Sequence, residues 1–174
     1  HATATQTLRV ARPCPRHTNW FQDLLFTPKV RATELQFRRT VEEVIEFLEL
    51  QHYRDSMVAG LPYGVRKVVE VGRALAMRPK LLLLDEPSSG LNVDETEDMG
   101  FWIEDIKHDL GITVIMVEHD MGLVSRVSDR VLALNQGEVL ALGTAAEVQA
   151  HPAVIEAYLG GVDDDAPAAA GAAA

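Results

Sequence analysis

Sulfur chemistry is nearly absent from this sequence. Its one cysteine, Cys14, excludes an internal disulfide and fits a reducing compartment. A long apolar run is missing too. The most hydrophobic stretch, Leu81–Leu84 with its neighbours, falls far short of the ~20 residues that span a bilayer. Direct membrane insertion is therefore not expected, and any membrane role must come through a partner. No apolar segment follows His1, so no signal peptide is read. Basic charge is scarce as well: 16 Lys and Arg stand against 26 Asp and Glu, a net charge of −10. Residues 1–40 reverse that balance, with seven basic and two acidic side chains, which leaves the remainder strongly acidic. A body of that charge is a poor partner for nucleic acid. The basic stretch is scattered among Pro, Thr and aromatics and reads more simply as a solvated segment than as a polyanion patch.

What is present is the composition of a globular protein, 47% hydrophobic and 24% charged, in a chain long enough for one real core. Residues 1–39 contain Pro13, Pro15 and Pro28 and no sustained periodicity. They are predicted to be irregular, apart from a short helical turn around Trp20–Phe26. Residues 40–80 read as a helical subdomain. Thr40 and Glu43 have capping-box spacing ahead of Val41, Val44, Ile45 and Leu48 on one helical face. A second helix follows Gly64, with Val65, Val68, Val69, Gly72, Leu75 and Ala76 as its stripe and Pro79 as its stop.

Residues 81–161 read as alternating strands and helices. The run Leu81–Leu84 suits a strand buried on both faces. A helix over Asp94–Asp109 turns Met99, Trp102, Ile103, Ile106 and Leu110 inward, Gly111 closes it, and Ile112–Val117 is a second buried strand. A short helix near Met121–Ser128 leads to Val131–Leu134, then Asn135-Gln136-Gly137 turns the chain into Glu138–Leu142. Thr144 and Glu147 form another capping box, for a helix interrupted at Pro152. Residues 162–174, acidic and then Ala-rich, read as a disordered tail. The order implies an α/β fold with parallel strands, a helical appendage and a C-terminal hairpin plus helix.

The chemistry concentrates at two strand ends. Leu81–Leu84 runs into Asp85-Glu86-Pro87, adjacent carboxylates at the sheet edge where α/β proteins bind ligands. One carboxylate can hold Mg²⁺ while the next orients or deprotonates a water. Alone, such a pair also fits a strand ending at a solvated turn. Its company favours function: the second strand ends in Glu118-His119-Asp120. If the two strands are neighbours, His119 emerges near Glu86 and can donate to a terminal phosphate. Upstream, Leu61-Pro62-Tyr63-Gly64-Val65 precedes a helix whose N-terminal N–H groups can bind an anion. The blander reading there is a Pro-Gly turn. Ser88-Ser89-Gly90-Leu91-Asn92 is a polar turn directly after the acidic pair.

In this order the motifs resemble the ABC ATPase family, over roughly Thr40 to Gly161. The tyrosine-bearing Leu61-Pro62-Tyr63-Gly64, the stretch Glu118–Met121 and the ending Val154–Gly160 are similar to the ATPase subunits of branched-chain amino acid importers. The resemblance implies a partial P-loop NTPase fold that uses ATP and Mg²⁺. It implies Asp85 at the metal, Glu86 as catalytic carboxylate, and His119 as a switch on the γ-phosphate. Leu61, Pro62, Tyr63, Gly64 and Val65 would face ATP held by a second ATPase subunit, the same or a different chain. Ser89, Gly90 and Asn92 would cross that dimer interface. Transmembrane permease subunits would be the other partners, holding the protein at the cytoplasmic face of the plasma membrane.

Two departures qualify the resemblance. Pro62, Tyr63 and Val65 replace the family's signature serine, first glycine and glutamine, and Asn92 replaces an acid. No G-x-x-x-x-G-K-[ST] occurs in the sequence, so the cradle that grips the phosphates, with its lysine, is missing. With His1 in place of Met, the expectation is an N-terminally truncated chain that is inactive alone. The alternative is a non-catalytic regulatory or interaction module that keeps the dimer surface.

Overall fold

A computed structural model describes residues 2–10 and 28–159. They fall into two compact units, His1–Glu118 and His119–Ala174.

The first unit opens with helix α1, Ala4–Val10, and a long helix α2, Pro28–Phe47. Short 3₁₀ turns at Gln51–Tyr53 and Val58–Gly60 lead to α3, Tyr63–Leu75. The three helices meet at Gly72, where an added Cβ would lie 2.9 Å from Leu48 Cδ1 and 3.0 Å from Leu8 Cδ2. Leu8, Val41, Ile45, Leu48 and Val69 are fully buried around that contact. The N-terminal segment is tied down by its backbone as well. Ala4 N–H donates to Ser56 O at 3.1 Å, Val58 N–H to Ala2 O at 3.2 Å, and the Thr5 hydroxyl to Arg54 O at 2.7 Å.

This corrects the irregular reading of residues 1–39: Ala4–Val10 and the chain from Pro28 are helical, and Ala4 and Leu8 are buried. The helical turn expected at Trp20–Phe26 lies outside the described residues. The capping box at Thr40 and Glu43 does not form either, because α2 begins earlier and runs through it. Thr40 is buried inside the helix, its hydroxyl donating to Gln36 O at 3.2 Å. Residues 34–39 contain no fully buried side chain, so that part of the helix carries no apolar stripe to read. It has instead an i,i+4 ion pair, Arg38 to Glu34 at 2.8 Å.

The α/β part follows: strand β1 (Leu81–Asp85), helix α4 (Val93–His108) and strand β2 (Thr113–Val117). Asn92 caps α4, accepting from Glu95 N–H at 2.9 Å while Asn92 N–H donates back to the Glu95 carboxylate at 3.1 Å. The helix lays Met99, Ile103 and Ile106 into the core, with Trp102 half-buried; Leu110, expected inside, is past the helix end and exposed. Gly111 takes a left-handed φ of +62° to turn the chain into β2.

Strands β1 and β2 pair in parallel, with Leu81 opposite Thr113 and Asp85 opposite Val117. They are neighbours, as the motif reading required. Burial on both faces is not observed: Leu82 is buried, but Leu83 is 68% and Val117 62% exposed, and Leu81 and Ile115 share that open face. A strand alternates its side chains between faces. One face of this two-stranded sheet meets the core, and the other is uncovered among the described residues.

The second unit holds α5 (Met121–Val127), strands β3 (Val131–Asn135) and β4 (Glu138–Gly143), and helices α6 (Ala145–Gln149) and α7 (Pro152–Leu159). β3 and β4 form the expected hairpin, antiparallel and turned at Gln136 (φ +49°) and Gly137 (φ +87°). The capping box at Thr144 and Glu147 forms, with Thr144 N–H donating to Glu147 Oε2 at 2.8 Å. Tyr158 ties α7 to the hairpin through its hydroxyl, donating to Leu134 O at 2.8 Å. The chain from residue 160 onward, with the predicted tail, lies outside the described residues.

Candidate active site

β1 ends at Asp85, whose side chain is exposed at the strand's C-terminal edge. Glu86 extends the ladder by one bond, its N–H donating to Val117 O at 2.9 Å, and then leaves the sheet with a left-handed φ of +44°. That conformation is costly for a residue with a side chain, so the surroundings must hold it. The Glu86 carbonyl accepts from Ser89 N–H at 3.1 Å and from Lys67 Nζ at 3.3 Å.

The polar turn that follows is fixed from β2. Glu118 Oε1 accepts from both Ser88 N–H at 2.8 Å and Ser88 Oγ at 2.6 Å, and Ser88 is buried. Bonds to an ionised acceptor are the strong ones. Sequence reading passed over Glu118 as a landmark beside His119. Its position directly after a strand adjacent to β1 was the available signal. His119 itself opens the second unit, one residue before Asp120, which caps α5 by accepting from Leu123 N–H at 2.9 Å.

On the other side of the turn lies the loop Leu61–Val65. Leu61 is buried, and Pro62 stands at the N-cap of α3 with no side-chain cap bond. The first helical hydrogen bond runs from Arg66 N–H to Pro62 O at 3.1 Å, so the N–H groups of Tyr63, Gly64 and Val65 precede the bonded ladder. Gly64 leaves room for the Glu95 carboxylate, which an added Cβ would push aside. Tyr63 reaches across to Ser89 O at 3.3 Å, and its ring lies against Gly90. The structure therefore joins Leu61–Val65, Asp85, Glu86, Ser89, Gly90 and Asn92 within the first unit.

Two cavities in this unit measure about 180 and 190 Å³, the second lined by Lys67, Asp85 and Pro87. Both are smaller than the ~300 Å³ of a typical small-molecule site. No cluster of three or more His, Cys, Asp or Glu suited to a metal occurs among the described residues. A single exposed aspartate still fits Mg²⁺, which commonly takes one or two protein carboxylates and fills its shell with water and phosphate.

A family model described as "ABC transporter" matches residues 8–89, and one described as "Branched-chain amino acid ATP-binding cassette transporter" matches residues 138–164. The first match contains the Leu61–Val65 loop, Asp85 and Glu86. The chain belongs to the ABC ATPase family.

Among its relatives is the high-affinity branched-chain amino acid transport ATP-binding protein BraF of Pseudomonas aeruginosa, 36% identical over 91% of this chain and 62% of BraF. LivG of Escherichia coli, with the same description, is 34% identical over the same shares. Among solved structures, the ADP conformation of MJ1267, an ATP-binding cassette of an ABC transporter, superposes with a TM-score of 0.74 at 28% identity. That superposition covers 91% of this chain and 63% of MJ1267. The chain thus spans under two thirds of the length of these relatives. The fold is the α/β ABC ATPase fold, with its parallel strands and an antiparallel hairpin. No helix among the described residues is long and apolar enough to cross a membrane.

Proposed function

We propose that this ABC ATPase chain serves ATP hydrolysis in a transporter that imports branched-chain or related amino acids. The observation that supports this most is the parallel pairing of β1 and β2, which puts Asp85 and Glu86 at one sheet edge beside a turn held by Glu118. The names of BraF and LivG support the substrate class.

In this reading Asp85 holds Mg²⁺, which when bound with nucleotide offsets charge on the phosphate oxygens. Glu86, exposed and carried on a fixed backbone, accepts a proton from the attacking water or orients it. His119 donates to the γ-phosphate. The N–H groups of Tyr63, Gly64 and Val65 face the phosphates of ATP on a second ATPase subunit, where the positive end of α3 favours an anion. Ser89, Gly90 and Asn92 lie at that dimer interface. Permease subunits would hold the assembly at the cytoplasmic face of the membrane.

The 174 residues by themselves hold no lysine-bearing phosphate cradle, so they are expected to be silent as an enzyme. Mg²⁺-dependent phosphate release by the pure chain would contradict this. The functional test extends the chain at its N-terminus with a strand–loop–helix of the G-x-x-x-x-G-K-[ST] type. The extended chain is expected to hydrolyse ATP, and Glu86→Gln to lower its turnover by about 10²-fold or more. An extended chain that binds ATP without turnover, unchanged by Glu86→Gln, would instead establish the non-catalytic module.

A further inference from the structure

We propose that Tyr63 and Lys67 are positioning residues that tether the Glu86–Asn92 turn to the first turns of α3 in the same chain, fixing the backbone that carries Glu86. The consequence for hydrolysis rests on the function proposed above; the tether does not.

The two residues are four apart on one helix and so project from the same face. Lys67 grips the start of the turn and Tyr63 its middle. Lys67 Nζ donates to Glu86 O at 3.3 Å, and the Tyr63 hydroxyl donates to Ser89 O at 3.3 Å. Between those points the turn closes on itself through Ser89 N–H to Glu86 O at 3.1 Å and Leu91 N–H to Ser88 O at 3.0 Å. The turn also leans on the tyrosine ring. Gly90 sits at φ +77°, and a Cβ added there would come within 3.0 Å of Tyr63 Cε1, so backbone and ring are in close contact. The ring's own orientation is supported by two cations, with Arg66 Cζ 5.4 Å and Lys67 Nζ 5.9 Å from its centroid.

This arrangement answers a question that Glu86 raises. Its left-handed φ of +44° is unfavourable for a glutamate and persists only if neighbours over-determine it. From the sheet side, Val117 O binds Glu86 N–H; from the helix side, Lys67 binds Glu86 O. The peptide on each side of the strained Cα is thereby fixed. A movement of α3 would be passed directly to the Glu86 backbone.

Hydrogen exchange at single amides, measured by NMR on the 174-residue chain, tests this. Tyr63→Phe removes only the hydroxyl, and Lys67→Met removes only the cation. Each is expected to speed exchange of the Ser89 and Leu91 amides about threefold to tenfold, the scale of one modest hydrogen bond. Amides in the middle of α3 and α4 should stay within about twofold of the parent. Lys67→Arg, which keeps a cation in reach, should restore the parental rates. The tether is overturned if the turn amides do not respond, if the helices accelerate equally, or if Lys67→Arg behaves as Lys67→Met. The readout needs no nucleotide. A responding turn in a chain that fails the hydrolysis test would refute the proposed function and leave the tether standing.

Discussion

One carboxylate oxygen of Glu118 takes both the backbone N–H and the hydroxyl of Ser88, at 2.8 and 2.6 Å. The pair staples the end of β2 to the turn after β1, thirty residues apart in sequence. It makes the acidic edge of the sheet a fixed object rather than a loose loop.

That staple predicts a stability effect with no change in charge. Ser88→Ala removes the hydroxyl bond from a buried position, and bonds to ionised partners contribute roughly 1.5 kcal/mol or more. Urea unfolding of the variant should show a loss of about that size. In a Glu118→Gln background the same substitution should cost clearly less, since the acceptor is no longer ionised. Equal costs in both backgrounds would remove the staple from the explanation.

Gly64 makes a second prediction through its contact with Glu95. An added methyl must push aside the carboxylate that completes the cap of α4. Gly64→Ala should therefore destabilise by about 1 kcal/mol, the usual scale of a lost cap. Glu95→Ala removes the carboxylate half of that cap directly. The double variant should be markedly less destabilised than the sum of the singles, a coupling that denaturant titration of all four chains can measure.

Acid provides the third. The Glu147 carboxyl is held below its ordinary value of 4.5, first by the Thr144 backbone N–H and then by the Thr144 hydroxyl. A carboxyl lowered in the folded state contributes stability above its unfolded value and loses it as pH falls through the folded one. The start of α6 should thus be unchanged between about pH 7 and 5 and loosen below about 4.5. The protection of the Val148 amide relative to its intrinsic exchange rate checks this, and Glu147→Gln should abolish the loss of protection in acid.

Much of this architecture was legible because it is local. The Asn135–Gly137 turn, the cap at Thr144 and the stripe from Val68 to Leu75 are each decided by residues within a few positions, and each formed. The strand ends were legible too, since four aliphatics before Asp85-Glu86 fit little else. Residues 34–39 of α2 were hidden because they carry arginines and an ion pair where an apolar stripe would show. Thr40 misled for a related reason: a hydroxyl three residues before a glutamate satisfies a cap or the helix interior equally well, and only the preceding chain decides. Glu118 and Lys67 could not be assigned from sequence, because their roles depend on which turn the tertiary fold brings to them.

The open face of β1 and β2 has a practical meaning. Among the described residues nothing covers Leu81, Leu83, Ile115 and Val117, on a type of sheet that is ordinarily covered on both sides. In the test tube such a seam is expected to draw the chain to other apolar surfaces. Yield and behaviour will depend on concentration, salt and whatever apolar surface is on offer. The molecule is best handled dilute and in company.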